Sequence, residues 1–423
     1  MKHIIIWLVF VLMSFATLAF GETKEDANAL QAEEPQKVEE PQEVEEAKKV
    51  GYDGGFFIRN AKNTFQFTVN GRVQPRVYFQ KTNGQSGDWS FGIRRVRLDF
   101  DAMIVKKANF HIALQHSTSS ANFSIMNIIG ATASYSFHKS FTLTMGTVGL
   151  PLSMIGCTSS LGYHLLEPPV VLTQQDGGSI SPTRSAFGNP DGLGILINGS
   201  VKKFFYEASV VNGAAATTLA DAANNIEGSG GTESNYDFNF NRRVSVGARI
   251  GVNILDPVSG SQMDLPYSEK VKLTMSAGGT YQGARQDPNN AVEISRIITG
   301  STGIGLRYRG FSITTEVFGR RMSLDNPGNT TWFSMSMDDF GYYVDTGYFV
   351  LRDKLELAVA AGQIFREGQN NDSYQFGGGI NWYVVPTFLK WQLSYTATGD
   401  FDEVAGTKRD VTHFVGTQFS ASF

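Results

Sequence analysis

The sequence predicts an all-β protein, a transmembrane antiparallel β-barrel of sixteen strands. From about residue 65 to the end, apolar and polar residues alternate with period two over segments of about ten residues. Glycine is enriched at 45 of 423 residues and proline is scarce at 13, which favours strands and turns. After the first residues no apolar run reaches the roughly 20 residues that a membrane-spanning helix needs.

The chain begins with a predicted signal peptide, residues 1–21. A short positive region, Lys2 and His3, precedes the apolar stretch 4–15, and Ala19-Phe20-Gly21 supplies small residues for cleavage. The alternative, an uncleaved anchor, needs a longer apolar stretch. Export is therefore expected, and the single cysteine, Cys157, rules out an internal disulfide framework.

Residues 22–50 form a low-complexity acidic segment with ten acidic residues and four lysines, hence a net charge of 4 − 10 = −6. The sequence EEPQ occurs twice, at 33–36 and 39–42, and its prolines interrupt any long helix. Such a composition buries too little apolar surface to fold. We expect a periplasmic tail, either a solvated spacer or a contact with the cell wall, followed by the barrel at 51–423.

The sixteen predicted strands follow one another to the C-terminus. Every second connection is short, as expected for the periplasmic turns of a bacterial barrel, except the one at 256–269. The segments are 64–80, 89–103, 108–117, 128–137, 140–148, 191–200, 203–212, 242–254, 270–283, 296–309, 311–321, 338–350, 354–364, 373–384, 387–398 and 410–423.

Each strand presents one apolar face and one polar or small face. In the last strand, for example, Val415 and Phe419 alternate with Gly416, Gln418 and Ser420. A β-sandwich, the soluble alternative, needs large apolar residues on its inner face, whereas a barrel in lipid carries them outside. The pattern therefore predicts a polar, water-filled interior.

Four stretches of the sequence resemble the phosphate-selective porin O and P family. They are 69–76 (VNGRVQPR), 91–98 (FGIRRVRL) with 109–112 (NFHI), 145–152 (MGTVGLPL) with 158–160 and 165–169 (LLEPP), and 205–213 (FYEASVVNG). The resemblance implies a sixteen-stranded, trimeric porin whose third external loop, here 149–190, folds inward as a constriction. A surface loop is the alternative. The terminal Phe423 resembles the signal that the barrel-assembly machinery reads.

A basic wall is predicted on the first two strands of the barrel. By alternation Arg72 and Arg76 point inward from the first strand, and Arg95 and Arg97 from the second. Arginine offers a fixed fork of donors for phosphate or carboxylate oxygens, and basic rings select anions in pores. The alternative is that internal salt bridges, for instance with neighbouring acidic residues on the second strand, neutralise these arginines.

The inward loop departs from the phosphate-specific members of the family, whose loop is rich in arginine and lysine. Loop 149–190 has one basic residue, Arg184, together with Glu167, Asp176 and the titratable His164. We therefore expect a general-diffusion pore with a weak anion preference rather than a dedicated phosphate channel.

The resulting functional prediction is a porin in the outer membrane of a Gram-negative bacterium, which passes small polar solutes with a lean toward anions, phosphate among them. Expected partners are outer-membrane lipid and lipopolysaccharide, the barrel-assembly machinery, the solutes, and two further copies of the chain. No enzyme motif, cofactor or metal-ligand spacing and no nucleic-acid signature is visible. The alternative is a structural barrel that the acidic tail ties to the cell wall.

Overall fold

The structure is a computed structural model that describes residues 49–423, except 53, 117–125, 173–186, 188–190, 213–243, 259, 284–292, 327–335, 367–370, 387 and 403–410. The predicted signal peptide and nearly all of the acidic tail lie outside the described residues and stay predictions. None of the helices in the described part is long and apolar enough to cross a membrane.

Eighteen strands account for most of the described residues, joined by turns and by one short 3-10 turn at Ser160–Gly162. They are β1 (Val50–Tyr52), β2 (Phe56–Arg59), β3 (Phe65–Thr82), β4 (Asp88–Ile104), β5 (Ala108–His116), β6 (Met126–His138), β7 (Phe141–Gly149), β8 (Asp191–Val201), β9 (Phe204–Asn212), β10 (Val244–Asn253), β11 (Lys272–Gly283), β12 (Glu293–Tyr308), β13 (Phe311–Asn326), β14 (Ser336–Leu351), β15 (Leu355–Arg366), β16 (Asn371–Val385), β17 (Leu389–Asp402) and β18 (Val411–Ser422).

Strands β3 to β18 close into a sixteen-stranded antiparallel barrel. Each pairs with the next along the chain, and β18 pairs with β3 from Thr412 opposite Thr82 to Ser422 opposite Arg72. Closure matters because in hydrocarbon every backbone N–H and C=O must find a partner within the protein. The predicted fold class is confirmed, and the predicted strand ends differ from the observed ones by a few residues.

Two short strands, β1 and β2, were missed at the sequence level because three or four residues are too few to show alternation. They form a hairpin in which β2 pairs with the start of β3, placing Phe56 opposite Val69. Just beyond β18, the backbone of Phe423 exchanges two hydrogen bonds with Gly71, at 2.8 and 2.9 Å. The Phe423 ring lies where a side chain at Gly71 would be, which accounts for the glycine.

The two faces of the wall differ as alternation predicts. On β14 the outward side chains of Phe340, Tyr342 and Tyr348 are exposed, whereas the inward Asp339 and Asp345 are buried. Exposed apolar side chains on the outside of a closed barrel match a surrounding of lipid.

The barrel seam can be tested by crosslinking. The hydroxyl oxygens of Thr82 and Thr412 are 3.0 Å apart across β3 and β18. In a Cys157→Ser background, Thr82→Cys with Thr412→Cys should form an intramolecular disulfide on mild oxidation, detected by mass spectrometry. The control pair, Thr82→Cys with Ser420→Cys, lies on the same two strands far out of register and should not crosslink. Equal yields for both pairs would contradict the closure.

Candidate functional site

The residues after β7, 150–172, run along the inner face of the barrel and are called the inward segment. Its apolar side chains pack against inward residues of β13 to β15, namely Phe318, Tyr343 and Ile364. The packed residues of the inward segment include Ile155, Leu165, Val170 and Val171, and Phe187 stacks on the ring of Phe318 with centroids 5.3 Å apart.

Polar side chains of the wall bind the backbone of the inward segment. The carboxylate of Glu316 accepts hydrogen bonds from the N–H groups of Met154 and Ile155, both at 3.0 Å. The amide of Gln375 accepts from the Val170 N–H at 2.8 Å and donates to the Pro168 carbonyl at 3.0 Å. Further contacts of this kind join Ser301 to Leu152, Arg249 to Ser153, Ser394 to Leu166, and Lys390 to Tyr163.

These contacts correct one inference from the sequence. Most polar inner residues of β12 to β17 are buried rather than facing water, and several of them supply hydrogen bonds to a chain segment that has no sheet of its own. Large apolar residues such as Phe318 also occur on the inner face, so the interior on this side is packed. Inward residues of β3 and β4 are mostly part-exposed instead.

Two glycines make room for the inward segment. A side chain at Gly377 or Gly379, on β16, would meet the methyl carbons of Leu165 at 3.0 and 3.2 Å. The glycine run of this strand, 377–379, is thus a thin part of the wall against which Leu165 packs.

A second segment, residues 254–271 between β10 and β11, also enters the barrel. The Gln262 N–H donates to the Gly162 carbonyl at 2.9 Å, so the two segments meet. The Arg307 side chain donates to the Ser261 carbonyl at 2.7 Å, and Asp264 accepts from the Gly310 N–H at 2.9 Å. This unusually long connection therefore forms hydrogen bonds both with the inward segment and with the barrel wall, and so supports the inward segment.

His164 is fully buried where the two segments meet the wall. Its ring Nδ1 is 2.8 Å from the Asp345 carboxylate and its ring Nε2 is 3.3 Å from the Glu356 carboxylate. The backbone N–H of His164 donates to the side-chain oxygen of Gln262 at 2.8 Å. Burial alone lowers the pKa of His164, but Glu356 and Asp345 outweigh it and raise that pKa to about 9. His164, predicted from the sequence as a constriction residue, lies here as an anchor without a surface in the pore.

The four arginines of the predicted basic wall lie together on the inner face of β3 and β4. Arg72 and Arg97 are opposite one another in the register, and Arg95 is held between the neutral side-chain amides of Gln74 and Gln115, at 3.1 and 3.0 Å. Arg76 lies over the Tyr78 ring at 4.6 Å.

A β-bulge adds a fifth arginine that the sequence pattern assigned to the other face. Gln74 is opposite Arg95, but Pro75 is opposite Ile93, which leaves Arg94 as the extra residue of β4. An extra residue in one strand shifts the alternation, so Arg94 points inward beside its neighbour. A prediction from strict alternation therefore misses Arg94. The only local sign of the bulge is Pro75 on the neighbouring strand, which cannot donate a hydrogen bond to the sheet.

Acidic residues follow the arginines along β4. Arg97 forms an ion pair with Asp99 at 2.7 Å, as the salt-bridge alternative foresaw for this residue. His111 of β5 lies between the two carboxylates, 2.8 Å from Asp101 and 3.6 Å from Asp99. The inner wall of β4 is thus basic in its middle and acidic toward its end at Ile104.

Glu167 of the inward segment contacts the basic wall from within the lumen. Its Oε1 is 3.2 Å from Arg76 and 3.6 Å from Arg94. Nearby, burial raises the pKa of Tyr163, an effect that Arg95 and Arg94 partly offset. Arg184 and Asp176 lie outside the described residues, so their predicted places in the constriction stay predictions.

The buried imidazole leads to a pH prediction. Because the pKa of His164 in the fold, about 9, exceeds its ordinary value of 6.5, its stabilising effect is complete below about pH 6.5 and is lost as the pH rises through 9. Wild type should therefore exceed His164→Gln in unfolding free energy by at most about 3 kcal/mol at low pH, and by less at pH 10. Thermal unfolding in detergent from pH 6 to 10 measures this.

The matched control is His138→Gln, at the exposed last residue of β6. The difference in unfolding free energy between this variant and wild type should be the same throughout that pH range. If the difference in unfolding free energy between wild type and His164→Gln stays constant from pH 6 to 10, the stabilising charge on His164 between Asp345 and Glu356 is refuted.

Comparison with known proteins agrees with this geometry. The model of the family described as phosphate-selective porin O and P matches residues 67–246, which include the basic wall, the inward segment and β9. No curated protein matches the sequence.

Many solved structures share the fold. An anion-selective porin from Comamonas acidovorans is 12% identical, with 85% of this chain and 100% of that chain covered and a TM-score of 0.57. OmpF of Salmonella typhi in complex with daunomycin is 10% identical, with 86% and 99% covered and a TM-score of 0.52. The trimer form of OmpT from Vibrio cholerae is 11% identical, with 84% and 99% covered and a TM-score of 0.50.

At such low identity the structural likeness establishes the fold alone. Together with the family match it confirms the resemblance seen in the sequence: this chain is a sixteen-stranded barrel with the porin fold, and its residues 67–246 match the model of the phosphate-selective porin O and P family.

Proposed function

We propose that this protein is an outer-membrane porin through which small polar solutes diffuse passively, with a weak preference for anions. The observation that carries the proposal is the cluster of five arginines on the inner face of β3 and β4, on the side of the barrel where inward side chains stay part-exposed. Its members are Arg72, Arg76, Arg94, Arg95 and Arg97.

The clustered charge acts on permeating ions through space. Guanidinium groups keep their charge at any pH a bacterium meets, and inside a narrow pore they raise the local concentration of anions and lower that of cations. Two carboxylates, those of Asp99 and Glu167, form ion pairs with the arginines and offset part of this charge. A basic wall that is partly neutralised favours a modest preference over tight binding.

The packed half of the barrel supports the same function. The inward segment and residues 254–271 fill the space beside β12 to β17, so the route for solutes runs along the arginine side. Narrowing the lumen beside a charged wall keeps a solute within about one Debye length, roughly 8 Å, of those charges at physiological salt.

The cellular setting belongs to the same proposal. The family match and the porins among the structural neighbours support a place in the outer membrane of a Gram-negative bacterium, and the trimer form among them supports a homotrimer. Export by residues 1–21, contact with lipopolysaccharide, and recognition of Phe423 by the assembly machinery complete the proposed path to the membrane.

The anion preference can be measured in planar bilayers. Purified wild type should conduct ions, and its reversal potential in a KCl gradient should indicate that chloride permeates better than potassium. Replacing Arg72, Arg76, Arg95 and Arg97 with glutamine removes four positive charges from the wall, so the reversal potential should shift toward potassium.

The control variant replaces four exposed basic residues with glutamine and should keep the wild-type reversal potential. These residues lie in turns or on the outer face: Arg309, Arg321, Arg352 and Lys354. Absence of any conductance would defeat the channel, and an unchanged reversal potential in the inner-wall variant would defeat the anion preference.

A further inference from the structure

Two guanidinium groups converge on one carboxylate oxygen inside the barrel. Arg76 reaches the Oε1 atom of Glu167 from β3 at 3.2 Å, and Arg94 reaches the same atom from the bulge in β4 at 3.6 Å. Two positive forks aimed at a single oxygen are the arrangement by which proteins hold a small oxyanion. Here the oxygen belongs to the protein itself.

Glu167 is carried to this position by its neighbours in the inward segment, which are fixed to β16 and β17, and β17 is separated from β3 only by β18. The buried Leu165 packs against the glycines of β16, and the Leu166 N–H donates to Ser394 of β17 at 3.3 Å. On the other side, Pro168 accepts a hydrogen bond from Gln375. The backbone at 165–168 is therefore held in place, and the Glu167 side chain reaches the arginines of the nearby strands β3 and β4.

The ion pair is accessible enough to be exchanged. The side chains of Arg76 and Glu167 are 20% and 28% exposed, so neither group pays the full cost of leaving water. Ion pairs that keep contact with water contribute little to stability, unlike the fully buried contacts of His164. A solute carboxylate arriving in the pore can therefore take the place of the Glu167 carboxylate without loss of fold.

We propose that Arg76 and Arg94 form a binding site for small carboxylate solutes and that Glu167 is a built-in competitor for it, which sets the strength of the anion preference. The proposal rests on the anion-preferring pore proposed above. A tethered group competes at an effective concentration of the order of millimolar or more, so a free carboxylate binds weakly and leaves quickly. Weak occupancy suits a diffusion pore, since tight binding would block it.

The test is Glu167→Gln, which keeps the shape of the side chain and removes its charge. A unit charge about 4 Å from an ion in water changes the occupancy of that ion roughly fivefold. In planar bilayers the ratio of chloride to potassium permeability should therefore rise about fivefold. Added sodium acetate should reduce the chloride current at a concentration about fivefold lower than in wild type.

Three controls accompany this variant. Asp338→Asn removes one carboxylate from an exposed ion pair with Arg321 on the outer face and should leave both quantities unchanged. Adding Arg76→Gln or Arg94→Gln to Glu167→Gln should abolish the gain, because the gain needs both guanidiniums. Swelling of liposomes in an uncharged sugar should match wild type, which shows that the inward segment has not moved.

Inorganic phosphate, used in place of acetate, tests whether the site prefers carboxylates.

The outcomes separate the two proposals. Suppose that Glu167→Gln leaves the chloride-to-potassium permeability ratio and the acetate block at wild-type values, while the inner-wall arginine variant alters selectivity. The proposed competition by Glu167 is then refuted, and the proposed anion-preferring pore stands. If uncharged sugar permeates at a changed rate in Glu167→Gln, the carboxylate only holds the segment, and the inference is overturned. If phosphate blocks as acetate does, the site takes oxyanions in general and the carboxylate assignment falls. If the inner-wall arginine variant has no effect, the proposed anion preference itself fails.

Discussion

The demand of backbone groups for hydrogen-bond partners governs the interior of this barrel. The strands satisfy theirs by closing on one another, but the inward segment has no neighbouring strand and its peptide groups are buried. Side chains of the wall supply the missing partners, such as Glu316 for two N–H groups and Gln375 for one N–H and one carbonyl. The polar inner face is therefore a template that fixes one path for the segment.

That fixed path divides the lumen into two environments. Beside β12 to β17, side chains are buried and charges occur in close contacts, as with His164 between Asp345 and Glu356. Beside β3 and β4, the arginines stay part-exposed. The same 23 residues, 150–172, thus pack one part of the interior and leave the arginine side part-exposed.

Two titratable residues of the inward segment, three positions apart, have opposite tasks for this reason. His164 is removed from water and paired on both ring nitrogens, so its charge stabilises the packing. Glu167 stays in partial contact with water and reaches the arginine wall, and we propose that its charge sets the anion preference of the pore. Burial, rather than residue type, decides which of the two roles a charge has.

Alternation along a strand is a local property with period two, so the amino-acid sequence was enough to predict the barrel, its strand order and the face on which Arg72, Arg76, Arg95 and Arg97 lie. The tertiary structure was needed to add Arg94 to them, since a bulge changes the period by one residue and depends on the neighbouring strand. It alone decided that polar inner residues serve the inward segment rather than water. Those contacts join residues far apart in the chain, such as His164 and Asp345, and no local pattern encodes them.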